Sequence, residues 1–155
     1  MIATKEKVNI RPLGPDEVGK AFAVAKKFHK ETGLIIDEPD GEYWDATWSG
    51  LISSGVGVII ALEAEGKVVG ALCGTFSPSL LAPVMMFTEA MWYVEKEWRG
   101  HGTRMLRYAE EFAEAGGCTG ISMSHLVDKD ATRMSNFYRR NGYTPSEVFH
   151  VKDLF

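Results

Sequence analysis

The ten residues from Met85 to Val94 are apolar at both alternating positions, with a single charge, Glu89, in the run. A strand with one wet face alternates apolar and polar; one covered on both faces does not. The run is also far short of the roughly 20 residues that cross a membrane as a helix. It therefore predicts a central strand with a layer packed on each side. Trp98 to Thr103 follows as a glycine-bearing turn. Met105, Leu106, Ala109, Phe112 and Ala113 then keep helical spacing until Gly116-Gly117. Strand, glycine turn and amphipathic helix in succession place the chain in the α/β class.

The rest of the chain fits around this unit as one domain, residues 1–155, without repeat or linker. Val8 to Leu13 reads as a first strand. Pro15-Asp16-Glu17 reads as a helix start, and Val18, Phe22, Ala25 and Phe28 carry that helix to Gly33. Asp40-Gly41-Glu42 opens a second helix with the stripe Trp44, Trp48, Leu51 and Ile52, closed by Gly55. Val56 to Glu63 and Val68 to Phe76 form a hairpin about Glu65-Gly66. Ser77 to Pro83 is a loop. Ile121 to Leu126 is a short strand, and Asp128 or Asp130 caps a fourth helix bearing Met134 and Phe137, with Gly142 past its end. Glu147 to Lys152 is a last strand. The expected order is β-α-α-β-β-β-α-β-α-β, a mixed central sheet flanked by about four helices.

Several function classes fall away. The formal charge is −4 and no Lys/Arg block occurs, which argues against a nucleic-acid surface. Met1 to Arg11 has alternating charges and no apolar leader segment, and no run suits a membrane span. Cys73 and Cys118 are the only cysteines and form no C-x-x-C pair, so neither a zinc site nor a disulfide framework is expected; a reducing, cytoplasmic setting fits. The four histidines are scattered, which disfavours a metal-dependent hydrolase.

The segment Arg99-Gly100-His101-Gly102-Thr103-Arg104 is the sharpest chemical feature. Glycines let a backbone approach a ligand closely and take positive φ. A helix start turns unpaired N–H groups toward one point, and together these suit a phosphate. A tight turn without a ligand is the competing reading. The Walker pattern is absent, and the dinucleotide fingerprint lacks its third glycine and its parallel crossover.

Val94 followed by Arg99-Gly100-His101-Gly102 resembles the acetyl-CoA motif of the GNAT superfamily of N-acetyltransferases, Arg/Gln-x-x-Gly-x-Gly/Ala at a helix start. Phe137-Tyr138-Arg139-Arg140-Asn141-Gly142-Tyr143 resembles that family's second signature, a Phe/Leu-Tyr-x-x-x-Gly-Phe/Tyr run. The element order is similar across nearly the whole chain. Two departures stand out: Arg104 replaces the final Gly/Ala, and Ala131 replaces an Asn often found at the start of the fourth helix. A shortened loop and the tail Val151-Lys152-Asp153-Leu154 resemble a small phage- and prophage-like subgroup.

The resemblance implies acetyl transfer from acetyl-CoA to a primary amine by direct attack, without a metal. Met91, Trp92, Tyr93 and Val94 would offer backbone groups to the pantetheine arm. Arg99, Gly100, His101, Gly102, Thr103 and Arg104 would hold the pyrophosphate. An amine of pKa about 10.4 must lose a proton before it attacks. Glu89 is the leading base, on one strand parity with Met85, Phe87, Met91 and Tyr93; such neighbours raise a carboxyl pKa. A structural ion pair is the alternative. Tyr138 is expected to protonate the leaving thiolate, with core packing as its alternative, and His125, at a strand end, is a minor proton relay. On the acceptor side Tyr43, Trp44 and Trp48 form a candidate aromatic wall, or else core anchors. Glu38, Asp40 and Glu42 could attract a cation, or lie in a solvated loop. Protein N-termini, lysines, polyamines and other small or peptidic amines stay open as acceptors, and a homodimer is one open assembly. The rival from another class is a catalytically silent acyl-CoA-binding or regulatory module.

Overall fold

The computed structural model describes residues 7–33 and 38–154. Met1 to Glu6, part of the segment read as having no leader, lies outside the described residues, as does part of the loop between the first two helices, 34–37. Five strands form one sheet in the order β1 (Val8–Pro12), β2 (Gly57–Ala64), β3 (Lys67–Pro78), β4 (Met85–Val94) and β5 (Cys118–Ser122). The first four are antiparallel neighbours, and β5 joins β4 in parallel. The four helices are α1 (Phe22–Thr32), α2 (Gly41–Ser53), α3 (Gly102–Ala115) and α4 (Ala131–Arg140). This is the α/β class with a mixed sheet and four helices that the sequence predicts. Among the described residues no helix is long and apolar enough to cross a membrane.

The sheet is covered on both faces, as the apolar run in β4 requires. Val24 and Ala25 of α1 pack with Ile59, Ala71, Met91 and Tyr93 on one face, and Trp44 and Trp48 of α2 lean on that cluster. Met105, Ala109 and Ala113 of α3 pack with Ile60, Leu72, Phe87 and Val94 on the other. Phe87 and Met91 thus serve opposite faces, although four residues apart. The register explains it: Gly74 pairs with Glu89 but Cys73 pairs with Met91, so Ala90 is an extra residue in β4. Such a bulge breaks strict alternation. The shared parity expected for Glu89, Met91 and Tyr93 is therefore corrected, and Glu89 keeps step with Phe87 instead. Gly74 lies beneath the Phe87 ring, where any side chain would collide.

Four other expectations change. The first helix begins later than Pro15: a 3₁₀ turn, Val18–Ala21, precedes α1. Glu17 binds Arg11 (2.7 and 2.9 Å) and Lys20 (2.9 Å) and accepts from Gly14 N (3.1 Å) instead of capping a helix. Trp98 to Thr103 is not an open glycine turn, because a 3₁₀ helix over Lys96–His101 runs straight into α3. The fifth strand starts at Cys118, directly after Gly117, and ends at Ser122, so residues 123–126 are coil. Glu147 to Lys152 forms no strand; residues 143–154 are irregular and no strand neighbours them.

The Arg11–Glu17–Glu63 cluster ties the first turn to β1 and β2, with Arg11 Nε 2.5 Å from Glu63. Arg11 and Lys20 hold the Glu17 carboxyl well below its usual 4.5. A depressed folded pKa gives stability that is present above that usual value and lost as pH falls below it. Glu17→Gln should therefore lower Tm at pH 7, and the gap from the parent should close as thermal melts are taken below pH 4.5.

Candidate active site

The ladder between β4 and β5 covers only Met85–Thr88 against Cys118–Ser122. Beyond Thr88 the strands part, and Glu89 stands at the fork. Its Oε2 accepts from Ser124 N (3.1 Å) and Ser124 Oγ (2.6 Å). A side-chain carboxylate has taken the place of a ladder carbonyl. Above it, the edge of β4 from Glu89 to Val94 has no strand paired to it among the described residues.

Tyr138 meets the same serine from α4, its hydroxyl donating to Ser124 O at 3.1 Å. Its ring stacks on His125, centroids 6.2 Å apart, and tilts against Trp92 at 6.4 Å. Glu89, Tyr138 and His125, far apart in sequence, are thus gathered on one loop, 123–126. Ser124 was not foreseen. Its part is played largely by main-chain N–H and C=O groups, which no residue type announces.

Burial raises the Glu89 carboxyl above its usual value of 4.5, and the two bonds from Ser124 only partly offset this. Among the described residues Oε1 has no hydrogen-bond partner, which leaves it able to take a proton. Burial also raises the Tyr138 hydroxyl, as does the Glu89 charge, so it keeps its proton at neutral pH. The His125 ring is exposed, with Nδ1 3.0 Å from Leu126 O. His125 also borders a polar cleft of about 610 Å³ lined by Ala131, Thr132, Ser135, Asn136 and Arg139 of α4.

Trp92 carries a buried polar atom: its Nε1 is shielded from solvent and has no partner among the described residues. Buried polar atoms without partners are rare and costly. Cζ2 of the indole is 3.6 Å from where a Cβ on Gly102 would stand. Around Gly100 a Cβ would meet nothing within 4 Å.

The glycine segment differs from expectation in its backbone. Neither Gly100 nor Gly102 has positive φ, and Gly102 N–H already donates to Arg99 O. Room, not unusual conformation, is what these glycines provide. Arg99 is committed to the fold: Nε donates to Val94 O (2.9 Å), Nη2 binds Glu31 (3.2 Å), and the guanidinium lies 5.5 Å from the Tyr93 ring centroid. Tyr93, whose hydroxyl donates to Glu31 at 2.7 Å, has its pKa pushed up to about 12 by burial and that carboxylate. Arg104 and Thr103 are exposed, with Arg104 Nη1 3.3 Å from His101 Nδ1. Arg104 is thus the arginine of this segment that stands clear of an acid.

The aromatic wall divides. Tyr43 is 72% exposed. Trp44 donates Nε1 to Val18 O (2.9 Å) and packs against Phe22 and Trp48 in the core, so the anchor reading holds for both tryptophans. The Asp40 carboxylate caps α2 through Tyr43 N at 2.8 Å. Among the described residues no group of three or more His, Cys, Asp or Glu could hold a metal ion.

The chain belongs to the GNAT acetyltransferase family, whose model matches residues 23–143. No curated protein matches it significantly. Among solved structures, it is similar to an aminoglycoside acetyltransferase from an uncultured soil metagenomic sample, crystallised with trehalose (TM-score 0.75, 17% identity, 96% of each chain covered). It is also similar to glucosamine-6-phosphate N-acetyltransferase of Arabidopsis thaliana (0.74, 18%, 97% of this chain and all of that one). A third likeness is to the ribosomal-protein-alanine N-acetyltransferase of Brucella melitensis biovar Abortus 2308 (0.72, 14%, 96% and 100%). At such identities the likeness is one of fold.

Because burial raises the Glu89 pKa, its charged form is disfavoured in the folded chain, and the stability it permits is lost as pH rises through that raised value. Glu89→Gln can still accept from Ser124 and carries no charge. Thermal melts at pH 7 should show Tm unchanged or higher. A clear drop would make Glu89 a structural ion, not a functional one.

Proposed function

We propose that this chain moves an acetyl group from acetyl-CoA to a primary amine by direct attack, with Glu89 as the base and Tyr138 as the acid. The observation that carries the reading is the fork between β4 and β5, with Glu89 and Tyr138 both tied to Ser124 at its throat. The family relationship supplies the co-substrate.

The residues present suit acetyl-CoA. The open edge of β4, Met91 to Val94, presents main-chain groups of the kind that bond an extended amide arm. The uncrowded backbone at Gly100, with His101, Thr103 and Arg104, suits the phosphates; a charge-assisted bond from Arg104 would add to it.

The chemistry then follows from charge. An amine of pKa near 10.4 reaches the site mostly protonated at pH 7. Glu89 Oε1 takes that proton, directly or through one water, while Ser124 holds Oε2 fixed. The amine lone pair attacks the thioester carbon. As the C–S bond breaks, Tyr138 O–H, which here donates to Ser124 O, turns to protonate the departing sulfur; the second proton that the attacking nitrogen must lose restores the Tyr138 hydroxyl through water, and Glu89 passes its own proton to solvent. The raised pKa of Tyr138 keeps its proton in place until the thiolate forms. The acceptor is an amine of small-molecule or peptide origin. Asp40 and the Trp44–Trp48 pair serve the fold, which leaves exposed Tyr43, Glu38 and Glu42 as acceptor-side contacts.

Thiol release from acetyl-CoA against a panel of amines tests the activity. Glu89→Gln should lower kcat roughly 100- to 10,000-fold, the usual worth of a general base. Tyr138→Phe should lower kcat on the order of 100-fold while calorimetry shows acetyl-CoA affinity nearly unchanged. Acetyl-CoA binding without turnover on any amine would select the silent acyl-CoA-binding module; near-parent turnover in Glu89→Gln would remove Glu89 as the base.

A further inference from the structure

The charge of α4 runs against that of the whole chain. Over Ala131–Arg140 the helix carries Arg133, Arg139 and Arg140 and no acid, in a protein of formal charge −4. Asp130, just ahead of the helix, neutralises Arg133 at 3.5 Å. Among the described residues Arg139 and Arg140 enter no ion pair.

Cations in a last turn offset the helix dipole, which accounts for their place in the sequence. It does not account for what surrounds Arg139. Thr132, Ser135, Asn136 and Arg139 recur three or four residues apart, as one helical face does, and with His125 they bound the polar cleft of about 610 Å³. That volume suits a small molecule. No Asp or Glu lines it. Among the described residues the side chains of Thr132, Ser135 and Asn136 have no hydrogen-bond partner, so hydroxyl, amide and guanidinium donors stand together unclaimed. One fixed positive charge, several donors and no competing carboxylate suit an anion.

The cleft adjoins the reacting groups. His125 is common to both: its ring borders the cleft and stacks on Tyr138, centroids 6.2 Å apart. Beyond that ring the Tyr138 hydroxyl and the Glu89 carboxylate meet at Ser124. A molecule reaching from Arg139 past His125 therefore has a cation at one end and a carboxylate at the other.

We infer that the amine acceptor carries an anionic group, a carboxylate or a phosphate, and that the α4 cleft binds this group through Arg139, with Thr132, Ser135 and Asn136 completing its hydrogen bonds. The ammonium end then lies toward Glu89, and the acceptor is oriented before its proton is lost. This rests on acetyl transfer to an amine at Glu89 and narrows the acceptor to zwitterionic amines. Arg139 acts on binding and makes no contact with the reacting atoms.

The test is thiol release from acetyl-CoA by the full chain, with amines of equal length ending in carboxylate, phosphate, hydroxyl or ammonium. The better anionic arm should exceed the hydroxyl arm roughly 10- to 100-fold in kcat/KM, as a charge-assisted hydrogen bond allows, and the ammonium arm should be poorest. Which anionic arm leads distinguishes carboxylate from phosphate. Arg139→Gln should erase the preference by raising KM, with kcat and the calorimetric affinity for acetyl-CoA nearly unchanged. Arg140→Gln removes the same charge from the same turn outside the cleft and should keep the preference. Loss of preference in both variants would reduce the effect to a diffuse field and overturn the site. Equal turnover across the four arms would overturn it too, and leave acetyl transfer standing. Weaker acetyl-CoA binding in Arg139→Gln would give the cleft to the co-substrate and overturn its role for the acceptor. No turnover on any amine would overturn acetyl transfer itself, and this inference with it.

Discussion

The hydrogen bonds from Ser124 N–H and Oγ to the Glu89 carboxylate hold the molecule open. Up to Thr88, β4 and β5 pair in parallel, with one register shift between Met85 and Met86. One residue later a side chain, not a carbonyl, receives the next loop, and the two strands diverge. The free edge of β4 and the approach of Tyr138 to Ser124 both depend on that divergence. The extra residue at Ala90 assists it: the bulge lets Glu89 keep step with Phe87, while Met91 and Tyr93 turn to the opposite core.

An acid at this position costs stability. Burial disfavours its charge, and only the serine offsets the loss. The surroundings absorb that cost with two apolar clusters, one on each face of the sheet, built largely from β2, β3, α1 and α3. A site framed by strands of a packed sheet can hold its groups in place without help from a ligand. Arg99 belongs to this frame. It joins α1, through Glu31, to the end of β4, and so fixes where α3 begins.

Much of this was legible in the residues. The both-face apolar run found the central strand, and helical spacing found all four helices. The motif pair found the family, and Glu89, Tyr138 and His125 do gather around one loop. The rest depended on partners that periodicity does not see. The bulge arises from the pairing of Cys73 and Gly74, one strand away. The motif position of Arg99 says nothing of its bond to Glu31, 68 residues earlier. Ser124 acts mainly through its backbone. Glu147 to Lys152 has a strand's composition, yet residues 143–154 are irregular, because composition alone makes no strand without a neighbour to pair with.

The central claim is that acetyl-CoA lies against the parted edge of β4. The most direct measurement is the indole N–H spectrum of the chain, which has four tryptophans and so four signals, with Trp92 assigned by Trp92→Phe. Trp44 is already bonded to Val18 O and should barely respond. On titration with acetyl-CoA, the amides of Met91–Val94 should become protected from exchange, and the indole signal of Trp92, a residue of that edge, should shift. Saturable binding that leaves both unchanged would contradict the account.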